Sequence, residues 1–161
     1  MYMGTKSELN MNIGKKHFTV EPEIETVPIT WQEVEDCVRT IVGKINFDGT
    51  KIKTVVGLSR GGLVPGVMIS HQLNAKFVPV VWQTRDDNIQ WTNMIQVHDS
   101  EDVLIVDDLI DSGRTYEQIK VHAPKAKWAV MYNKRPDIKV DFVAGNLYND
   151  SRWLDFPWEK V

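Results

Sequence analysis

The chain has 161 residues, 42% of them hydrophobic and 25% charged, a length and balance that point to one globular domain and exclude wholesale disorder. No apolar run is longer than the six residues from Phe77 to Trp82, far short of the roughly 18 to 20 that a membrane span needs. The lone cysteine, Cys37, excludes a disulfide framework or a cysteine-rich zinc site, and is expected to be a small buried hydrophobe. With a formal net charge of -3 there is no large basic footprint, so nucleic acid is not an expected partner and any bound anion must be held by local geometry.

Residues 1–20 lack the apolar core of a signal peptide, which leads to the expectation of a cytoplasmic protein. Residues 1–28 cluster few apolar side chains and are expected to form an N-terminal arm, partly ordered or used as an oligomer contact. The domain proper is placed at 29–161. Thr30 and Glu33 make a capping box ahead of Trp31, Val34, Val38, Ile41, Val42 and Ile45, whose spacing predicts a helix with one apolar face.

Short apolar runs follow at Thr54–Leu58, Phe77–Trp82, Val103–Val106, Trp128–Tyr132 and Val140–Ala144, and these predict five buried strands. Helical segments lie between them at Leu63–Leu73, with Pro65 in the first turn, and at Thr115–His122, closed by Pro124. Such alternation predicts an α/β fold, an open and mainly parallel sheet flanked by helices. Pro79 cannot donate to a strand ladder, which puts the second strand at or near an edge. Gln83 to Asp99 breaks the alternation without a convincing helix, and a loop of that length is expected to be a lid or a strand ribbon.

In an open parallel sheet, ligands bind beyond the carboxyl ends of the strands. There Val103–Val106 runs directly into Asp107-Asp108-Leu109-Ile110-Asp111-Ser112-Gly113-Arg114-Thr115 and then into a helix. Two adjacent carboxylates leaving a buried strand cost desolvation energy unless cations meet them, so they suggest a magnesium ion or a polyhydroxylated ligand. Asp111 to Thr115 brings backbone N–H groups, two hydroxyls and a glycine to a helix N-terminus, where the macrodipole favours an anion. That combination is a phosphate cradle.

Three other readings use the same letters. The DDxxD pattern of diphosphate-metal sites needs a helix face, which the apolar run and Gly113 oppose. A receiver domain places its acidic pair after the first strand, whereas this pair follows the third. A solvated acidic turn capping a helix explains Asp111 or Ser112 singly, but not the whole string.

The thirteen residues VLIVDDLIDSGRT, Val103 to Thr115, resemble the phosphoribosyl pyrophosphate (PRPP) motif of type I phosphoribosyltransferases. The match is complete: four apolar residues, two acids, two apolar residues, Asp, a small hydroxyl residue, Gly, a variable position and Thr. The chain is also similar to the bacterial xanthine-guanine (6-oxopurine) branch of that family. That similarity runs from Ile29 over about four fifths of the chain, through Val56–Gly66, Lys134-Arg135-Pro136 and Trp153–Trp158.

The resemblance implies a small C-terminal hood and a lid loop that closes over the diphosphate. It also implies the reaction: guanine, xanthine or hypoxanthine plus PRPP gives the nucleoside 5'-monophosphate and pyrophosphate, with magnesium as cofactor. A homodimer or homotetramer is expected, from the resemblance and because six tryptophans leave much apolar surface for one small domain to cover.

Residue by residue, the resemblance makes Ser59, Arg60 and Gly61 the pyrophosphate loop, although alone they read as a glycine-rich strand-to-helix turn. Asp107 and Asp108 would engage the ribose hydroxyls and magnesium, directly or through water. Asp111, Ser112, Gly113, Arg114 and Thr115 would bind PRPP, with Asp111 also the general base near the purine imidazole nitrogens. Arg85 would reach the donor from the lid. Lys134, by default a surface lysine, would donate to the exocyclic oxygen. Trp153, by default core or interface, would stack on the purine, with the carbonyls of Leu154 and Asp155 near its 2-substituent. His17, His71, His98 and His122 show no metal-ligand spacing with one another. Two alternatives stay open: a regulator that keeps the fold but binds nucleic acid or a partner protein, and a transferase for a different base. The acidic balance favours the enzyme.

Overall fold

The computed structural model describes residues 21–82 and 98–159. Helix α1 (Trp31–Asp48) begins where the capping box predicts, with Thr30 Oγ1 accepting from Glu33 N at 3.1 Å and Glu33 Oε2 accepting from Thr30 N at 2.7 Å. It ends at Gly49, whose φ of 76° is left-handed, the conformation a glycine supplies without strain. Its buried face is Val34, Cys37, Val38, Ile41, Val42 and Ile45.

Strands β2 (Thr54–Ser59), β3 (Lys76–Val81), β4 (Val103–Ile110), β5 (Lys127–Asn133) and β6 (Phe142–Asn146) form one parallel sheet in the order β3-β2-β4-β5-β6. This is the expected α/β architecture, and Pro79 sits in the edge strand β3 as its missing donor requires. On one face α1 and α2 (Leu63–Leu73) bury Val38, Ile41, Ile45 and Ile69 against Val55, Leu104 and Val106. On the other, Ile119 of α3 (Arg114–His122) packs with Val56, Leu58, Ile105 and Trp128.

The chain leaves β2 for β3 on one side and then returns to lay β4 on the other. The carboxyl ends of β2 and β4 therefore border a topological switch point, where an open sheet forms its binding crevice.

Several boundaries differ from the sequence expectation by a residue, and three differences bear on the architecture. Strand β4 does not stop at Val106: Asp107, Leu109 and Ile110 keep pairing with Val130, Tyr132 and Asn133 of β5, because the ladder is made by backbone and tolerates acidic side chains at its end. Strand β6 starts at Phe142 rather than Val140, since Asp141 turns its carboxylate to accept from Trp128 N at 2.8 Å. The domain also begins before Ile29. Thr26–Pro28, assigned to the arm, forms strand β1 and pairs in parallel with β7 (Trp153–Asp155) in a separate two-stranded sheet. Three residues with one apolar side chain, Val27, leave no period to read.

This small sheet and the 3-10 turn Pro157–Glu159 make up the hood. Phe156 stacks on Trp158 with ring centroids 5.0 Å apart and planes 8° apart, and Trp31 at the head of α1 lies 6.1 Å from Trp158. Leu154 and Phe156 are buried there with Ile29, Val34 and Met131, which fixes the hood over the carboxyl end of β5.

Candidate active site

Both glycine-bearing loops open on the crevice. β2 ends in Ser59 and runs into Arg60-Gly61-Gly62, with a cis peptide between Ser59 and Arg60. Gly61 faces Asp108 across the switch point so closely that a Cβ at 61 would collide with the Asp108 carboxyl group. Two segments more than forty positions apart in sequence, the loop after β2 and the acidic end of β4, therefore meet.

Asp108 N donates to Asp107 Oδ1 at 2.9 Å. Burial, with the neighbouring Asp108 carboxyl adding to it, pushes Asp107 well above the usual carboxylate range. Burial likewise pushes Asp108 up to about 6, with a smaller contribution from Glu159 of the hood. Among the described residues no group of three or more His, Cys, Asp or Glu side chains could hold a metal ion alone. A pair of carboxylates is nevertheless the donor set magnesium takes when substrate phosphates and waters complete its octahedron. The cost of ionising this pair without a cation fits that role.

Beyond β4 the chain turns through Asp111, Ser112 and Gly113 into α3. Gly113 has φ of 82° and is the helix cap. A cavity of about 110 Å³ is lined by Asp107, Asp111, Ser112, Gly113, Arg114 and Thr115, with Tyr116 and Trp128 among its walls. Asp111 and Ser112 are exposed at its mouth.

The base side is built on β5 and the hood. Lys134, which follows β5, is only 7% exposed, against the habit of lysines. Its Nζ donates to Arg152 O at 2.5 Å, which holds the ammonium beside the segment that carries Trp153. Arg152 itself clasps Asp150, Nε to Oδ1 at 3.0 Å and Nη2 to Oδ2 at 2.6 Å, and that contact holds the Asp150 carboxyl well below the usual range. Trp153 is 56% exposed, with an open indole suited to stacking rather than to core packing.

The two hood carbonyls differ in their partners. Trp153 N donates to Glu25 O at 2.8 Å and Asp155 O accepts from Ile29 N at 2.9 Å, so β1 engages the Asp155 carbonyl. Strand alternation turns the Leu154 carbonyl away from β1, leaving it the better placed acceptor for a ligand.

Lys134, Trp153 and Leu154 thus lie together, and Asp107, Asp108 and Asp111–Thr115 line or border the cavity. Arg85 lies outside the described residues. Sequence reasoning missed Asp150 and Arg152, because an Asp-x-Arg string carries no signal until the hood is folded. It also missed the backbone role of Glu25 and Ile29.

The model of the phosphoribosyl transferase domain matches residues 30–148. The chain belongs to that family. It is 32% identical over 140 residues to a xanthine-guanine phosphoribosyltransferase of Idiomarina loihiensis, covering 81% of this chain and 85% of the relative. Among solved structures, the purine phosphoribosyltransferase of Pyrococcus horikoshii superposes with a TM-score of 0.67 at 25% identity, covering 86% of this chain and 96% of that one. The xanthine-guanine-hypoxanthine phosphoribosyltransferase of Helicobacter pylori shares the fold, with a TM-score of 0.62 at 18% identity over 84% of this chain and 93% of that one. As a phosphoribosyltransferase, the chain has its acidic pair, its glycine loops and its buried lysine at one crevice.

Proposed function

We propose that this phosphoribosyltransferase moves the 5-phosphoribosyl group of PRPP to a 6-oxopurine, releasing pyrophosphate and forming the nucleoside 5'-monophosphate. The observation that carries the reading is the meeting of Gly61 with Asp108 across the switch point, which sets two anion-binding loops on either side of one acidic pair. A donor with phosphate at both ends needs both loops.

In this mechanism the turn from Asp111 to Thr115 binds the 5'-phosphate through backbone N–H groups and hydroxyls at the start of α3. Ser59, Arg60 and Gly61 hold the diphosphate. Asp107 and Asp108 take the ribose hydroxyls and would hold magnesium, which would supply neutralisation of charge on the departing diphosphate. Lys134 donates to the 6-oxo oxygen, Trp153 stacks on the ring and the Leu154 carbonyl accepts from a 2-amino group. Asp111 accepts the imidazole proton as the ring nitrogen attacks C1 of the ribose. Arg85, outside the described residues, is a further candidate for the diphosphate. Exposed Trp31, Phe47 and Val121 leave apolar surface that supports a homodimer or homotetramer, to be read by light scattering.

The test follows pyrophosphate release from PRPP with guanine, xanthine, hypoxanthine, adenine and uracil, with magnesium and again with a chelator. Release with the 6-oxopurines only, abolished by chelation, is the expected result. Release with none of the bases would favour a regulator built on the same fold.

A further inference from the structure

The turn after β5 carries more than Lys134. Asn133 is buried, and its Nδ2 donates to Ile138 O at 3.0 Å while its Oδ1 accepts from Arg135 N at 2.9 Å, so one amide closes the whole turn. Within it, Arg135 Nε and Nη2 donate to the two carboxylate oxygens of Asp137 at 2.8 and 2.6 Å, a fork that fixes the guanidinium plane. The remaining nitrogen, Nη1, donates to the carbonyl oxygen of Ser112 in the phosphate cradle. Ile138 presses on the same place, since a Cβ at 113 would collide with its Cδ1.

The peptide joining Ser112 to Gly113 is trans and planar, so its C=O and N–H point in opposite directions. Holding the Ser112 oxygen toward Arg135 aims the Gly113 N–H away from Arg135, to the side of the cradle. Glycine accepts φ of either sign, so nothing in Gly113 itself prevents this peptide from turning over. A tether on the carbonyl does. The side chains of Arg135 and Asp137 are 36% and 59% exposed, so their ion pair contributes little to folding and its geometry is what matters.

We propose that Arg135 is a positioning residue for the transfer reaction: it locks the Ser112–Gly113 peptide so that the Gly113 N–H stays aimed at the substrate 5'-phosphate. The proposal rests on the purine phosphoribosyltransferase reading and deepens it. Because Arg135 follows Lys134 directly, one short turn sets both the base-recognising ammonium and the phosphate cradle.

The test compares the affinities of guanosine 5'-monophosphate and guanosine by calorimetry, since the two differ only in the group the Gly113 N–H meets. Wild type should bind the monophosphate more tightly. Arg135→Ala should shrink that ratio by about tenfold or more, the cost of misaiming one hydrogen bond to a charged group, while guanosine affinity moves by less than about twofold. In turnover the KM for PRPP should rise more than the KM for the purine. Arg135→Lys, which keeps one charged donor, should fall in between. An unchanged ratio in Arg135→Ala, or equal weakening of both ligands, overturns the assignment. Should Arg135→Ala fail to fold, Asp137→Ala gives the same readout: a reduced ratio supports the proposal and an unchanged one overturns it. A wild-type protein that binds neither ligand removes the purine reading itself, a result distinct from failure of the positioning role alone.

Discussion

In the sheet, β4 pairs with β2 at four positions and with β5 at six, and helices bury both faces. The hood rests on two three-residue strands, Thr26–Pro28 and Trp153–Asp155, drawn from the two ends of the chain. The phosphate half of the crevice is thus built on long, locally patterned elements, and the base half on short elements with few backbone bonds. That contrast suits their tasks: the donor phosphates need fixed N–H groups, whereas a planar base needs a stacking face and one or two polar atoms. It also makes the two halves separable by experiment.

The largest effect should come from the phosphate half. Asp111→Asn preserves the cradle backbone and removes the proton acceptor, so turnover should fall roughly 100- to 10,000-fold, with PRPP affinity nearly unchanged. Steady-state kinetics with direct donor binding checks this. Wild-type turnover would exclude Asp111 as the proton acceptor. Next, on the base half, Trp153→Ala should weaken binding of every purine alike by about 1 to 3 kcal/mol, the worth of a stacked base, read as a higher purine KM with the PRPP KM unmoved.

The contrast also explains how much could be read from sequence. The runs at Thr54–Leu58 and Val103–Val106 announce buried strands, Thr30 and Glu33 announce the start of α1, and the string from Asp107 to Thr115 is contiguous, so its chemistry survives without knowledge of the fold. β1 was not legible, because its partner lies over a hundred residues away and Val27 is its only apolar side chain. The clasp of Arg152 on Asp150 and the hold of Lys134 on the Arg152 carbonyl are products of tertiary placement. Burial of a lysine is the outcome composition argues against, and here a hood carbonyl compensates it.

A pair of truncations sharpens the difference. Removing residues 1–20 leaves β1 intact and should leave turnover near wild type. Removing residues 1–28 deletes β1, and with it the whole pairing to β7 and the Glu25 carbonyl that accepts from Trp153 N. At about 1 to 3 kcal/mol per unpaired buried group, purine KM should rise on the order of tenfold or more. Equal activity of the two truncations would mean that the hood stands without β1.

The smallest effect concerns the stability of the metal-free protein. Asp108 is raised from 3.8 to about 6, so folding disfavours its ionised form. The unfolded chain loses this proton near pH 4 and the folded one near pH 6, so stability falls as pH rises through that window and the penalty is complete above it. Asp108→Asn removes the penalty. In urea unfolding it should gain roughly 1 to 2 kcal/mol at pH 7.5 after discounting for partial exposure, and nothing below about pH 4. A gain independent of pH would point to packing instead.

The central claim is that one crevice joins a fixed phosphate cradle to a base pocket keyed by a buried lysine. An ammonium donates but cannot accept, so Lys134 suits a 6-oxo group and leaves the 6-amino group of adenine unmatched. The most direct measurement compares kcat/KM for guanine and adenine in wild type and in Lys134→Ala. The account predicts a wild-type preference for guanine approaching the order of 10,000-fold that largely collapses in Lys134→Ala, while the KM for PRPP is unchanged. Adenine used as well as guanine by wild type, or a preference that survives loss of the lysine, would contradict it.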